Sequence, residues 1–208
     1  LRPENTPVLN AAKTSTGAHS FMDRYSNTTR EVAQNGRRGA LMLLMSVAHP
    51  DIFKFVRKKK DRSKVTGANI SVQLTDEFMR AVESDSTFTC RFPVDTKSTA
   101  KLPTNAFNTL YAGFDPGTYF MLIKAKELYQ EIVENAWDNA EPGIAFMDNV
   151  VNYSPEGVYP QYRPVASNPC GEQWLQAYDA CRLLAMNFFS CVKNPYTQDA
   201  ELDLKKVY

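Results

Sequence analysis

The chain has 208 residues, of which 43% are hydrophobic and 23% are charged, and its formal net charge is +1. This is the composition of a soluble globular protein, and the length is sufficient for one domain with a sizeable core. The small net charge gives no reason to expect a nucleic acid or a membrane surface as a partner, and no apolar run approaches the roughly 20 residues that a membrane helix needs.

The first fifty residues predict a loop, a helix and a strand. Residues 1–19 are rich in Pro, Gly, Ser and Thr, which favours a loop. Large side chains then recur at helical spacing over residues 21–32, and Asn35-Gly36 supplies a helix stop. The apolar run over residues 41–47 is typical of a strand that is buried on both faces, as in a parallel sheet.

The next segment predicts a helix, a strand and a second helix. Residues 51–56 favour a short helix, and we interpret the basic run over residues 57–60 as its solvated end. Asn69–Leu74 alternates in polarity and is rich in β-formers, which predicts a strand. Thr75 is suited to cap a helix over Asp76–Glu83, whose first turn is acidic.

The remaining segments extend the alternation of helices and strands. Residues 84–113 predict irregular structure with an edge hairpin around residues 88–92. We expect further strands at 144–148 and 164–167, and a helix over 178–189 that carries Cys181. A long helix over residues 117–139 would bury one stripe, formed by Met121, Ala125, Leu128, Ile132 and Ala136. This order predicts an α/β fold with a largely parallel sheet.

The four cysteines give no sign of a disulfide framework. Cys90, Cys170, Cys181 and Cys191 are few for a chain of this size, and they lack the paired Cys-x-x-Cys pattern of structural zinc sites. Because neither end resembles a signal peptide, we expect a protein of the reducing cytoplasm.

A short stretch, SNPCGEQW over residues 167–174, combines reactive and conformational residues. In an extended backbone Asn168, Cys170 and Glu172 would share one face, because successive side chains point to opposite sides. Pro169 and Gly171 would restrict the chain and then allow it to bend. Two interpretations remain open at this point: a site that presents three groups to one ligand, or a polar loop that satisfies its own backbone.

The sequence resembles the catalytic subunit of ribonucleotide reductase, and most closely its adenosylcobalamin-dependent, class II branch. The motifs that carry the resemblance occur in order over nearly the whole chain: TGAHSFM at 16–22, QNGRRGA at 34–40, HPDI at 49–52, TGANISV at 66–72, NPCGE at 168–172 and YDAC at 178–181. The resemblance implies part of a ten-stranded α/β barrel, in which two parallel five-stranded halves lie antiparallel around a central finger loop.

The resemblance also implies roles for four residues. Cys170 matches the thiyl-radical cysteine that takes the 3′-hydrogen of a ribonucleotide. Glu172 matches the carboxylate that accepts the 3′-hydroxyl proton, and Asn168 matches the amide that holds the same hydroxyl. Cys181 matches one thiol of the pair whose oxidation reduces the 2′-carbon, so we expect it near Cys170. Such a radical site needs a cavity that excludes water.

Two loops match regulatory segments of the family. The specificity loop, which lies between the substrate base and an allosteric nucleotide, matches Asn35, Gly36, Arg37, Arg38, Gly39 and Ala40. The effector loop matches Arg2, Thr6, Pro7, Thr16 and Gly17, and Arg2 would meet an effector phosphate. Read without the resemblance, Arg37 and Arg38 are more simply surface charges after a helix stop.

By the same resemblance, residues 1–208 would be a fragment of the barrel that lacks its N-terminal region and its C-terminal half. The other redox cysteine would lie upstream, most of the adenosylcobalamin site would lie outside these residues, and Cys90 and Cys191 match no motif. We therefore expect the 208 residues alone to be inactive.

The implied ligands are a ribonucleoside di- or triphosphate and a deoxynucleotide or ATP effector. The implied partners are a thioredoxin- or glutaredoxin-type reductant and a second copy of the chain in a homodimer. Two alternatives remain: a class I large subunit, whose radical comes from a second subunit, and a truncated nucleotide-binding homologue without activity.

Overall fold

A computed structural model of the protein describes residues 1–8, 10–32, 36–94, 109–115, 117–182 and 184–207. These residues form two compact units, Leu1–Tyr178 and Asp179–Tyr208. In the first unit the helices and strands follow one another as α1 Met22–Glu31, β1 Met42–Ser46, α2 Ile52–Arg57, β2 Asn69–Leu74, α3 Asp76–Glu83, β3 Thr87–Pro93, β4 Thr109–Asp115, β5 Thr118–Lys124, α4 Ala125–Asn139, β6 Gly143–Phe146, α5 Met147–Tyr153, β7 Ala166–Ser167 and β8 Trp174–Leu175.

A parallel sheet of three strands, in the order β1-β2-β6, forms the centre of the first unit. The central strand β2 buries its alternate residues Ile70, Val72 and Leu74, as its sequence predicts. The expected strand at 41–47 is present as β1, but the expectation that both its faces are buried is wrong for this chain. Most of β1 is only half-buried, and β1 lies at the edge of the described sheet.

A second, antiparallel sheet, in the order β3-β5-β4, corrects the predicted helix over residues 117–139. The first third of this predicted helix is the strand β5 in the structure, and the helix α4 begins only at Ala125. Tyr119, Met121 and Ile123 are buried at every second position, so the period of two overrides the helical spacing that Met121 and Ala125 also fit. The hairpin expected around residues 88–92 is instead the long strand β3, paired with β5.

The helices pack around an apolar core against these sheets. Thr75 caps α3 as predicted, since its hydroxyl accepts a hydrogen bond from the Phe78 N–H at 3.2 Å. Phe78 is fully buried and meets Phe88 edge to face, with the ring centroids 5.2 Å apart. On α4 the buried stripe consists of Ala125, Leu128, Ile132 and Asn135, while Ala136 is half-buried.

The basic run at the end of α2 is not the solvated helix end that we expected. The Arg57 guanidinium donates two hydrogen bonds to the Glu131 carboxylate, at 2.5 and 2.7 Å, and Lys60 lies 3.1 Å from the same carboxylate. Lys58 pairs with Asp23 at 2.7 Å, and Lys59 pairs with Glu141. The run therefore fastens α2 to three other parts of the first unit.

The last two predicted elements differ from the structure. The strand expected at 164–167 is only the two-residue β7, which pairs antiparallel with β8 rather than joining the parallel sheet. The helix expected over 178–189 is absent from its described residues, apart from a 3₁₀ turn at Phe188–Cys191. Leu184 is 90% exposed, and a short segment without a buried face is not stable as a helix.

The second unit is small. It contains β9 Val192–Lys193, β10 Glu201–Leu202 and α6 Leu204–Val207, and the two strands pair antiparallel. Among the described residues of both units, the strands form separate sheets of two or three and no closed barrel. The α/β class is confirmed, whereas the ten-stranded barrel stays a prediction. No described helix is both long enough and apolar enough to cross a membrane.

Candidate active site

The stretch 168–173 is the turn of a short hairpin. Strands β7 and β8 pair through Ala166 with Leu175 and Ser167 with Trp174. The Gly171 N–H donates to the Asn168 carbonyl at 3.0 Å, which closes a four-residue turn. Gly171 follows with a φ of +84°, a conformation that favours glycine. Pro169 and Cys170 thus occupy the two central positions of the turn.

The Asn168 side chain organises this turn and the carboxylate beside it. Its Oδ1 accepts hydrogen bonds from the Gly171 N–H at 3.2 Å and the Gln173 N–H at 3.1 Å. Because the oxygen is fixed by these two donors, the amide nitrogen is directed elsewhere, and Nδ2 donates to Glu172 Oε1 at 2.7 Å. The two interpretations of the stretch are therefore compatible: the amide satisfies its own loop and also orients Glu172.

The expected extended geometry is wrong, since a turn rather than a straight strand brings Asn168 to Glu172. Cys170 lies between them at the tip of the turn, and both Cys170 and Glu172 are exposed. The described residues therefore do not form the water-excluding cavity that a radical site needs.

Two side chains of β2, which were not predicted as functional residues, hold the hairpin. Asn69 Nδ2 donates to the Pro169 carbonyl at 2.9 Å, and Gln73 Nε2 donates to the Val165 carbonyl at 3.0 Å. Both residues belong to the face of β2 opposite the buried one. The alternation of β2 in the sequence already places two amides on one face, and that was the available signal.

The cysteines fall into two classes. Cys170 and Cys181 are exposed, whereas Cys90 and Cys191 are buried. Burial raises the pKa of the Cys90 thiol to about 12, which makes it unreactive at neutral pH. Since Cys181 belongs to the second unit, its proximity to Cys170 stays a prediction.

The predicted specificity loop is exposed where it is described. Gly36 has a φ of +81°, and residues 36–40, which include Arg37, Arg38 and Ala40, face solvent. Gly39 lies against the last turns of α1, where a Cβ would come within 2.8 Å of the Thr29 carbonyl oxygen. Glycine at 39 therefore lets the loop approach the helix closely. Asn35 lies outside the described residues.

The predicted effector loop doubles back on itself. Pro7 and Thr14 form an antiparallel bridge, and the Arg2 guanidinium donates to the Pro7 carbonyl at 2.9 Å. Thr6 is fully buried, and its hydroxyl donates to the Pro3 carbonyl at 2.5 Å. Because a guanidinium has five N–H donors, Arg2 keeps further donors for an anionic ligand.

The buried carboxylate of Asp51 anchors this loop, a role that the sequence analysis also missed. It accepts hydrogen bonds from the Glu4 N–H at 3.0 Å and the Ala18 N–H at 2.8 Å. Gly17 has a φ of +87°, and a Cβ there would lie 2.8 Å from Asp51 Oδ2. Beside Gly17, the Thr16 hydroxyl lies 2.9 Å from the Ser20 hydroxyl. Asp51 of the HPDI motif thus holds the effector loop through two backbone N–H groups.

Comparison with known proteins identifies the family. The family model described as "Ribonucleotide reductase, barrel domain" matches residues 1–208. The chain belongs to the ribonucleotide reductase family. The match covers the whole chain, including the stretches 34–40 and 168–172.

Curated relatives extend this result. The chain is 32% identical over 189 residues to a vitamin B12-dependent ribonucleoside-diphosphate reductase of Thermoplasma acidophilum, with 90% of this chain and 22% of the relative covered. It is 33% identical over 189 residues to a protein of the same name from Mycobacterium tuberculosis, with 90% and 24% covered. A ribonucleoside-diphosphate reductase large subunit of Caenorhabditis elegans is 27% identical over 155 residues, with 71% and 20% covered. The chain thus spans less than a quarter of the length of these relatives.

Proposed function

We propose that the chain is the part of a ribonucleotide reductase that carries the radical cysteine, and that this cysteine is Cys170. One observation supports this most: Cys170 lies at the tip of a turn whose flanking amide and carboxylate, Asn168 and Glu172, are joined at 2.7 Å. A ribose placed against the tip would meet a thiol, a hydrogen-bond donor and a proton acceptor together.

In the proposed reaction, a thiyl radical at Cys170 takes the hydrogen atom from C3′, so that an S–H bond forms as a C–H bond breaks. Glu172 accepts the 3′-hydroxyl proton, the 2′-hydroxyl takes a proton from one of the two reducing thiols and leaves as water, and Glu172 later returns its proton to the 3′ oxygen. Cys181 and a second thiol supply two hydrogen atoms and become a disulfide, and Cys170 then returns its hydrogen atom to C3′. One ribonucleotide and two thiols give one deoxyribonucleotide, one disulfide and one water.

The radical source that we propose is adenosylcobalamin, as in the relatives whose names include vitamin B12. When bound, this cofactor supplies a radical that can take the hydrogen atom of the Cys170 thiol. The fit on this chain rests on the exposure of that thiol at the turn tip, where a group held against the hairpin can reach it.

The surrounding features fit the same proposal. The parallel strands β1, β2 and β6 would belong to one half of a ten-stranded barrel, with the β7–β8 hairpin as its finger. The specificity loop around Arg38 and the effector loop around Arg2 would bind an allosteric deoxynucleotide or ATP. A thioredoxin- or glutaredoxin-type reductant, a homodimer and a cytoplasmic location complete the proposal.

The test is an activity assay on the full-length protein that contains this chain. Ribonucleoside di- and triphosphates are offered separately, with a dithiol reductant, with and without adenosylcobalamin. We expect deoxyribonucleotide only when the cofactor is present. Product that instead requires a second, metal-containing subunit would assign the protein to class I. Nucleotide binding without product under either condition would identify a non-catalytic homologue and overturn the proposal.

A further inference from the structure

We infer that Asn69 and Gln73 of β2 are positioning residues that set the orientation of the Cys170 thiol. This inference rests on the proposed function of the hairpin. It concerns the strand that carries the hairpin rather than the residues that would touch the substrate.

The two amides hold the hairpin at two separate points, one in its turn and one just before its first strand. Asn69 binds the Pro169 carbonyl at 2.9 Å, next to Cys170, and Gln73 binds the Val165 carbonyl at 3.0 Å, just before β7. The partners are 100 and 92 residues apart in sequence, so these are tertiary contacts. Since Asn69 and Gln73 lie four positions apart on one strand, they present two donors on the same face.

The backbone that carries Asn69 and Gln73 is held in place by the core. Their neighbours Ile70, Val72 and Leu74 are almost fully buried on the opposite face of β2. The strand is also hydrogen-bonded on both sides, to β1 and to β6. The two amide side chains therefore extend from a strand that is held on both edges and on its opposite face.

The bond from Asn69 acts on the peptide that decides where Cys170 points. In turns of types I and II the central residues differ by a rotation of the peptide between them. Here that peptide joins Pro169 and Cys170, and Cys170 keeps a negative φ, as in type I. A rotation to type II would force Cys170 to a positive φ and swing its thiol away. By binding the Pro169 carbonyl, Asn69 opposes that rotation.

The remaining bonds of the turn do not replace this one. The bonds from Gly171 and Gln173 to Asn168 tie the ends of the turn together, and both turn types share the closing bond. Pro169 fixes its own φ but leaves its ψ free. Asn69 thus restrains the rotation of the peptide between Pro169 and Cys170, which the bonds within the hairpin leave free.

The test compares Asn69→Ala, Asn69→Asp and Gln73→Ala in the full-length protein. Asp has the shape of Asn but, when ionised, donates no hydrogen bond. Gln130→Ala is the matched control, because it removes an exposed amide that binds only Glu134 on α4 among the contacts found. The first readout is hydrogen exchange at the Gly171 and Gln173 amides, without cofactor or substrate. The second is the separate measurement of kcat and KM for a ribonucleotide.

We expect both Asn69 variants to speed exchange at these amides and to lower kcat, each by about 3- to 10-fold, because one hydrogen bond is lost. Gln73→Ala should have a smaller effect in the same direction. KM, exchange in β1 and all values for Gln130→Ala should stay within about twofold. A role in general stability would instead speed exchange in β1 as well.

The failure of this inference can be told apart from the failure of the proposed function. If the unmodified protein makes no deoxyribonucleotide, the proposed function is wrong, and the exchange measurement still decides whether Asn69 holds the turn. If the unmodified protein is active while both Asn69 variants keep its kcat and its exchange rates, the positioning role is wrong. Asn69→Asp with unaltered exchange and kcat would be sufficient by itself to overturn it.

Discussion

The two faces of β2 are held in different ways. On one face Ile70, Val72 and Leu74 are sealed into an apolar core by the helices and the second sheet. On the other face Asn69 and Gln73 carry an exposed hairpin through two hydrogen bonds. A hydrogen bond contributes about 0.5–1.5 kcal/mol net, whereas a buried aliphatic side chain contributes about 1.5–3 kcal/mol.

Because of this difference, one face of β2 should determine the stability of the fold and the other face the geometry of the site. A hairpin of two cross-strand pairs is too small to be stable alone, so its geometry comes from the strand beneath it. Changes on the core face should lower the free energy of unfolding. Changes on the hairpin should alter turnover and leave that free energy almost untouched.

The largest effect on turnover is expected at Cys170, at the tip of the turn. Cys170→Ser in the full-length protein should abolish deoxyribonucleotide formation, because an O–H bond is too strong for the cofactor radical to break while an S–H bond is not. The free energy of unfolding should change by no more than about 0.5 kcal/mol, since the side chain is exposed. Turnover near the unmodified level would show that Cys170 is not the radical cysteine.

Glu172→Gln should have the next largest effect. We expect kcat to fall by about 10²- to 10⁴-fold, because a proton acceptor is lost, while KM stays nearly constant. Steady-state kinetics at several ribonucleotide concentrations separate the two constants. A rise in KM at constant kcat would mean that Glu172 only binds the substrate.

The core provides the contrasting case. Phe78→Ala should lower the free energy of unfolding by about 3–5 kcal/mol, because it leaves a cavity beside Phe88. Denaturant unfolding measures the loss. Trp137→Ala is the control, since Trp137 is 89% exposed and its removal should cost less than about 0.5 kcal/mol. Equal losses in both variants would contradict the described core.

The smallest of these effects is expected in the specificity loop. Arg38→Ala should alter the relative rates for the four ribonucleotides by about 1–3 kcal/mol, because a charged contact to the ligand is lost. The ratios of kcat/KM should also respond less to the effector nucleotide. An equal loss for all four substrates would limit the loop to a structural role.

The parts of the fold that depend on local contacts could be predicted from the sequence. The alternation of Asn69–Leu74 and the cap at Thr75 are properties of a few neighbouring residues, and both are confirmed. Over residues 117–139 two periods overlap, because Met121 and Ala125 fit a helical stripe while Tyr119 and Ile123 fit a strand. The pairing of β5 with β3 and β4 decides the matter, and no local pattern shows it.

The candidate site, too, could be predicted from local sequence only in part. The motif at 168–172 predicts Asn168, Cys170 and Glu172 as site residues, but the turn that joins Asn168 to Glu172 was not expected. The anchoring by Asn69 depends on a contact over 100 residues, which one sequence cannot show. The ion pairs of the basic run also depend on residues distant in sequence, since Arg57 and Glu131 are 74 residues apart.

A single-turnover experiment tests most directly whether the chemistry is confined to the exposed thiols. The full-length protein is given cofactor and one equivalent of ribonucleotide without external reductant, and its cysteines are then mapped by alkylation and mass spectrometry. We predict one disulfide per deoxyribonucleotide, with Cys181 as one partner, Cys170 recovered as a thiol, and the buried Cys90 and Cys191 unoxidised. A product-dependent disulfide that contains Cys90 or Cys191 would contradict it.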